Sequence, residues 1–533
     1  MNPSKSLAPA STGLPHFPST PSGVMLLVAI YASIHALTRL FSSGNLGEDD
    51  PLDNLLVQTL APGYSVQQGP LYDWALWLVQ QLFGGGLSGF LFLKYTLLVA
   101  IAGCLYQITL KITQSALWAF IAVESMATVY QIFWRLHEGF THRVGAMALA
   151  VATVWAIFRL IDRPSRGNYL LLALLIGLGL LTEHIYAFAL LATLLAAWLQ
   201  APTRKTVFSL PMLASLPITL LVVAPYAIWL LADPPRAADL GTRLFPALPA
   251  HTLPGIAGGL RDALTFPLLV LSPYIVVLPM AFPAIFRTIF RPSPLPAIEP
   301  TTFDPTLFLQ HLLLIELSGL IFFNGLLYMR SNYAVHSILP MLVIAIPWLT
   351  AKARETNPTP RRVRVFMAVL LAFTITAYAV RSGNLFVNEP FCTRCRWGVP
   401  YAELAEKLRD QGFSRGTIIV NDVHVGGNLR RFFPESSIVM TGAEHAMASP
   451  HAAATGKIAL LWPVSGDSPA IPADLQTSIS GNPPPPTILT LPWKHLWRPL
   501  GYRTSTWGMA IIDSSNKSNR IYRDVAKPSN EGR

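Results

Sequence analysis

Long apolar runs separated by short polar connections dominate the chain. The runs occupy residues 24–40, 89–110, 116–134, 144–161, 169–181, 185–199, 208–231, 265–286, 307–328, 333–349 and 366–380. By the length a bilayer demands, roughly 17–25 residues, they predict about eleven membrane spans. The runs 169–181 and 185–199 are short, and read equally as two thin helices buried in the bundle. The pattern changes near Asn384. Tyr401–Gln411 puts Tyr401, Leu404 and Leu408 on one helical face. Short runs at Gly416–Val420, Ile438–Thr441, Lys457–Trp462, Thr487–Leu491 and Trp507–Ile512 read as strands. The expected fold is an α-helical polytopic membrane protein with a small C-terminal extracytoplasmic α/β domain. Its parts are a disordered cytoplasmic tail over 1–23, a transmembrane domain over 24–382 with a first outer loop at 42–88, the α/β domain over 383–513, and a disordered polar tail over 514–533.

Composition excludes a soluble chain. Of the 533 residues 52% are hydrophobic and 13% charged, against about 25% charged in soluble domains. The net charge of +11 is not a nucleic-acid signal, because the basic residues fall at every second connection: Lys111, then Arg159, Arg163 and Arg166, then Arg204 and Lys205, then Arg287 and Arg291, then Lys352, Arg354, Arg361, Arg362 and Arg364. Alternating basic loops are the cytoplasmic set. With Lys5 inside and the first span uncleaved, the first loop lies outside, and an odd number of spans leaves the C-terminal domain outside too. Arg39, Arg135 and Arg143 fall at outer ends, against the pattern. Three cysteines make no disulfide scaffold.

Candidate chemistry concentrates in Gly44–Trp74, which holds Glu48, Asp49, Asp50, Asp53 and Asp73, five of 28 acidic residues. Glu48-Asp49-Asp50 offers a general base towards a hydroxyl or amine; a solvated acidic loop accounts for it equally. In Gln67–Trp74, Gly69-Pro70 turns the chain into a helix over Pro70–Phe83, too short to cross. This helix is expected to lie at the membrane surface, with Tyr72, Trp74 and Trp77 at headgroup level. Those rings could stack on a sugar or an isoprenoid, or form an ordinary aromatic belt. His137, Glu138 and His142 lie at the outer end between spans three and four; the i,i+5 histidine spacing excludes a zinc-protease motif. Glu138 and one histidine are expected to face the same cavity as the first loop. Charges inside spans are costly. Lys94 either snorkels outward or offers a cation to a phosphate, and Glu124 reads as a structural partner. Glu183-His184 is a weaker outer-face candidate. Arg330 and His336 flank the start of span ten, where arginine's forked donors suit a phosphate or anchor the interface; Arg243 and Arg261 are similar but less located. Cys392 and Cys395, in FCTRCRW, suggest a local disulfide in an oxidising compartment.

The chain resembles the GT-C class of integral-membrane glycosyltransferases, in particular bacterial members of glycosyltransferase family 39 (protein O-mannosyltransferase-like and aminoarabinose-transferase-like). The specific match is Asp49-Asp50, Gln58, Gly63-Tyr64 and Gln68-Gly69-Pro70-Leu71-Tyr72-Asp73-Trp74. Looser matches are Phe140-Thr141-His142, Gly177-Leu178-Gly179-Leu180-Leu181, Pro340, Gly426-Gly427-Asn428-Leu429-Arg430 and Phe433-Pro434. The resemblance implies transfer of a sugar from a polyprenyl-phosphate carrier to a glycolipid, polysaccharide or protein acceptor, probed at the outer, periplasmic face of a bacterial inner membrane. It makes Asp49 the general base and Asp50 its partner, with Glu48 and Asp53 as solvated charge. It assigns Lys94, Arg330 and His336 to the donor phosphate and lipid, and Gln68, Tyr72, Trp74, His137, Glu138 and His142 to the substrate cavity. It fixes no cofactor, and a divalent metal stays open. Asp50 stands where the family has Glu, Glu183-His184 where it has Lys-Tyr, and His336-Ser337 where it has Arg-Trp. A flippase for a lipid-linked sugar and a non-catalytic envelope scaffold are the competing classes.

Overall fold

The computed structural model describes residues 20–66, 68–139, 141–244, 253–290, 302–323, 339–388, 391–392, 395–441, 457–464, 470–479, 483–494 and 503–513. The first helix, α1 (Pro21–Ser42), starts at Thr20, whose hydroxyl accepts from Gly23 N–H and satisfies one free end donor. Two short helices, α2 (Asp50–Leu56) and α3 (Leu71–Phe83), precede α4 (Leu87–Thr113). There follow α5 (Ala116–Ser125), α6 (Leu136–Gly139), α7 (His142–Asp162), α8 (Arg166–Leu180), α9 (Ile185–Trp198) and α10 (Leu216–Leu231). Later helices include α11 (Pro305–Ile321), α12 (Leu339–Glu355) and α13 (Pro360–Gly383).

α4 is apolar all round and takes α1, α5, α7 and α12 against it. Phe90, Ile101, Tyr106, Val144, Val151, Ile157 and Ile346 fill the resulting core. α1 and α13 turn Leu26, Ile30, Leu37, Leu371 and Ile375 outward. In a bilayer such faces lose nothing by exposure, so the chain is a multi-pass membrane protein.

Among the described residues, five helices are long and apolar enough to cross a membrane: Pro21–Ser42, Leu87–Thr113, His142–Asp162, Leu210–Leu231 and Pro360–Val387. Ala116–Thr128, Arg166–Leu180, Ile185–Trp198 and Pro305–Ile321 are shorter. The run 116–134 is not one helix. It passes through a 3-10 turn at Met126–Thr128 and a π-turn at Gln131–Arg135. The run 265–286 divides at the cis Ser272–Pro273 bond into Leu253–Leu271 and Tyr274–Ala281. The 15 residues of α8 reach about 22 Å, short of a hydrocarbon core of about 30 Å.

The C-terminal domain is a five-stranded sheet of order β2-β1-β3-β5-β4. β1 (Gly416–Val420) runs parallel to β2 (Ser437–Met440) and β3 (Lys457–Pro463). β5 (Thr504–Asp513) is antiparallel to β3 and to β4 (Thr487–Pro492). Residues alternate between faces with period two. Ile418, Val420, Ala459 and Leu461 pack towards α14 (Tyr401–Asp410) and α15 (Val423–Leu429), whereas Ile419, Ile458, Leu460 and Trp462 form a second layer. Leu55 of α2 belongs to the first layer. A first-loop side chain is therefore part of the core of the C-terminal domain.

Candidate active site

The first loop is held from two sides. On the C-terminal side, Asn45 Nδ2 donates to the carbonyls of Arg396, Trp397 and Val399. Asn428 accepts from Leu46 N–H and donates to Leu46 O. Arg430 donates to Asn54 O, Asn54 Oδ1 and Val57 O at the C-terminal end of α2, and Arg431 donates to Gly44 O. Gln58 bonds both N–H and O of Ile438, closing the open edge of β2. On the membrane side, Gly69 N–H donates to Thr182 O and Leu71 N–H to Leu181 O. A methyl at Gly69 would stand 2.3 Å from Leu181 O. The Gln68-Gly69-Pro70 segment thus docks on the backbone at the end of the Gly-Leu-Gly-Leu-Leu run, and only glycine allows that approach.

These supports separate the two central acids. Asp49, at the N-cap of α2, is exposed. Partial burial and the nearby Asp53 raise its pKa above the ordinary carboxylate value, and Arg143 opposes them. Asp50 is 1% exposed. Burial pushes its pKa up to about 7 against the opposing charges of Lys94 and Arg39. Arg143 Nε lies 3.5 Å from Glu183 Oε1. Asp53 and Asp73 flank His142, whose Nε2 is 3.5 Å from Oδ1 of each. These three residues, each offering one ligand atom within 4.8 Å of the others, are the group among the described residues able to hold a metal ion.

Several expectations change. Asp53 is not solvated charge: it is 4% exposed, because it shares a helical face with Asp50 at i,i+3 and turns inward beside it. Glu48 stays exposed. Lys94 does not snorkel; it is buried in the field of Asp50, with Arg39 and Arg381 as further cations. His137 is enclosed: Tyr95 Oη lies 2.7 Å from Nδ1, Tyr31 Oη 3.2 Å from Nε2, and the ring stacks on His35. Both ring nitrogens therefore face tyrosine hydroxyls inside the bundle. Glu138 pairs with Arg135 at 2.9 Å and Arg381 at 3.6 Å, and Arg135 reaches Glu48 at 4.0 Å. Tyr72 is buried beside His142 instead of being open for stacking. Trp74 Nε1 donates to Ala61 O, and Gln68 bridges to Glu183. Glu124 Oε2 has no hydrogen-bond partner among the described residues. Its side chain lines an apolar cavity of about 680 Å³ with Tyr31, Phe120 and Met367. Cys392 and Cys395 are disulfide-bonded. Arg330 and His336 lie outside the described residues, as does the side chain of Arg243. Sequence reading missed Asp73, Arg39, Arg143 and Arg381. Arg39 and Arg143 carried a signal, since each broke the charge alternation at an outer end.

Known proteins share this architecture. Residues 67–229 match the family described as dolichyl-phosphate-mannose-protein mannosyltransferase. The fold is similar to that of ArnT from Cupriavidus metallidurans bound to undecaprenyl phosphate, with a TM-score of 0.57, 11% identity, and coverage of 96% of this chain and 100% of that one. Over 89% of its length the chain is 27% identical to the lipopolysaccharide core galacturonosyltransferase RgtB of Rhizobium johnstonii, covering 94% of that protein. The chain has the fold of ArnT and is similar to membrane glycosyltransferases of the GT-C class, family 39 type. The chain is also 23% identical to RgtA of the same organism, over 82% of the chain and 86% of the relative. Gln58 and the Gly69-Pro70-Leu71 segment are docking residues for the acidic loop. Where the resemblance expects a lysine, Glu183 pairs instead with Arg143.

Proposed function

We propose that this glycosyltransferase moves a sugar of the uronic acid class from a polyprenyl phosphate to the core oligosaccharide of lipopolysaccharide, at the periplasmic face of the inner membrane. The donor class is supported by the likeness to the undecaprenyl-phosphate-bound ArnT, and the sugar and acceptor by the two galacturonosyltransferase relatives. The observation that carries the chemistry is the contrast between exposed Asp49 and buried Asp50 on the same turn. Asp49 takes the proton from the acceptor hydroxyl as its oxygen attacks the anomeric carbon. The bond to the carrier phosphate breaks in the same displacement, so the configuration inverts. The leaving phosphate needs cationic stabilisation; Arg143, whose charge acts on Asp49, is the candidate, while Lys94 acts on Asp50. The apolar cavity lined by Tyr31, Phe120 and Glu124 offers room for isoprenoid carbons.

The test is transfer from a radiolabelled polyprenyl-phosphate hexuronate to purified core glycolipid, by the detergent-purified protein. Asp49→Asn should lower the rate on the order of 10²–10⁴-fold while eluting as a folded monodisperse species. In the wild type the rate should rise with pH through an acid limb above the ordinary carboxylate range, since the base must be ionised. Arg143→Gln removes the charge that opposes the raised pKa, so the limb should move to higher pH. Full activity of Asp49→Asn removes the base assignment. Carrier movement across vesicles without bond cleavage would instead favour a flippase.

A further inference from the structure

Between the first loop and the start of α7 lies a second cluster that the proposed transfer step does not use. Asp53 comes from α2, Asp73 from the first turn of α3, and His142 from the first position of α7. Each is at most 4% exposed. His142 Nε2 is 3.5 Å from Asp53 Oδ1 and 3.5 Å from Asp73 Oδ1. Ligand atoms bound at about 2.0–2.2 Å to one tetrahedral ion stand about 3.4 Å apart, so these spacings already suit a shared ion.

The oxygens around this cluster point to the same conclusion. Asp53 Oδ2, Asp73 Oδ1 and Asp50 Oδ1 are buried carboxylate oxygens with no hydrogen-bond partner. Tyr72 Oη and His142 Nδ1 are also buried and without one. The Tyr72 ring packs 5.1 Å from the His142 ring. An ionised carboxylate accepts and does not donate, so adjacent buried carboxylates cannot satisfy each other. A single Nε2–H can donate to only one of its two flanking oxygens. Buried carboxylates without donors carry a heavy desolvation cost unless a cation joins them.

We propose that Asp53, Asp73 and His142 form a buried divalent-cation site that fastens the first loop to the membrane core. Two carboxylates and one imidazole suit zinc or manganese better than magnesium, which favours an all-oxygen shell with bound water. The two aspartates neutralise a divalent charge, and Tyr72 Oη or a water completes the shell. The ion ties α2, α3 and α7 at one point. Asp49, four residues before the first ligand Asp53, stays free for substrate. Metal binding here does not depend on which sugar is transferred or on whether Asp49 is the base.

The full-length protein, tag removed, can be purified in detergent and its metal content measured by mass spectrometry. About one equivalent of zinc or manganese should survive gel filtration. Chelation should lower the thermal midpoint, and zinc or manganese, but not magnesium, should restore it. Cobalt substitution should give visible ligand-field bands that disappear in His142→Gln. Asp73→Asn and His142→Gln should each reduce bound metal at least ~tenfold, while Asp49→Asn should retain it. The site is overturned if folded wild-type protein holds no stoichiometric metal and its midpoint does not respond to added zinc or manganese. It is equally overturned if metal persists in both ligand variants. If the variants fail to fold, the wild-type metal content and cobalt spectrum decide alone. A metal-free imidazolium held between two aspartates would give the first of these overturning results.

Discussion

Asp49 and Asp50 are neighbours in sequence but answer to different surroundings. Asp50 has its pKa raised to about 7 by burial, with Lys94 the leading opposing charge. A group whose folded pKa lies above its unfolded value contributes stability that is complete at low pH and lost as pH rises through the folded pKa. For Asp50 that loss falls between the ordinary carboxylate range and about pH 7. Removing Lys94 raises the Asp50 pKa further and enlarges the loss. Lys94→Met should therefore cost more in the wild type than in an Asp50→Asn background, with a coupling of about 1–3 kcal/mol at pH 8. Below about pH 5, where Asp50 is protonated in both proteins, the coupling should shrink towards zero. Thermal midpoints of the four proteins at the two pH values measure it. Equal effects of Lys94→Met in both backgrounds would show that the two side chains do not share a field.

At the scale of elements, the contact between α2 and α15 holds the loop that carries Asp49. A methyl at Gly427 would lie 2.3 Å from Pro51 O and 2.5 Å from Pro51 Cα. Backbone on both sides leaves nothing flexible to move. Gly427→Ala should destabilise by roughly 1–3 kcal/mol and lower transfer at least tenfold by displacing α2. Gly167, in α8, has nothing within 4 Å of its added methyl. Gly167→Ala should therefore leave activity intact and stabilise by up to about 1 kcal/mol. Midpoint and rate, measured on both, distinguish a packing requirement from a general intolerance of glycine replacement. Much of this scale was legible in sequence. The strand runs at Gly416–Val420 and Lys457–Trp462 coincide with β1 and β3 within a residue, because buried parallel strands are continuously apolar. Helix breaks were not legible: a π-turn at Gln131–Arg135 leaves hydropathy unchanged. Asp53 and Asp73 were not legible as buried either, because a charge run reads as solvated until the elements facing it are known.

For the whole molecule, the acidic loop and the C-terminal domain act as one unit across more than 370 residues of separation, as the Arg430–Asn54 and Arg430–Val57 bonds illustrate. Hydropathy divides the chain near residue 384, and it cannot reveal that the two parts share a core through Leu55. The Gly-Gly-Asn-Leu-Arg stretch was visible as a motif, but its partner was not, since the contact is made by backbone carbonyls that any sequence supplies. Arg430 caps the end of α2, where helix carbonyls lack internal partners. Arg430→Ala leaves the Asn54 and Val57 carbonyls without those donors and should cost about 1–3 kcal/mol locally. The effect should appear as faster amide hydrogen exchange over residues 50–57, with α4 and α7 unchanged. Turnover should fall while the apparent donor KM stays near the wild-type value, because the cavity proposed for the carrier lies among the membrane helices and only the placement of Asp49 is loosened. Unchanged exchange over 50–57, together with full turnover, would show that the C-terminal domain packs on the loop without holding it in place.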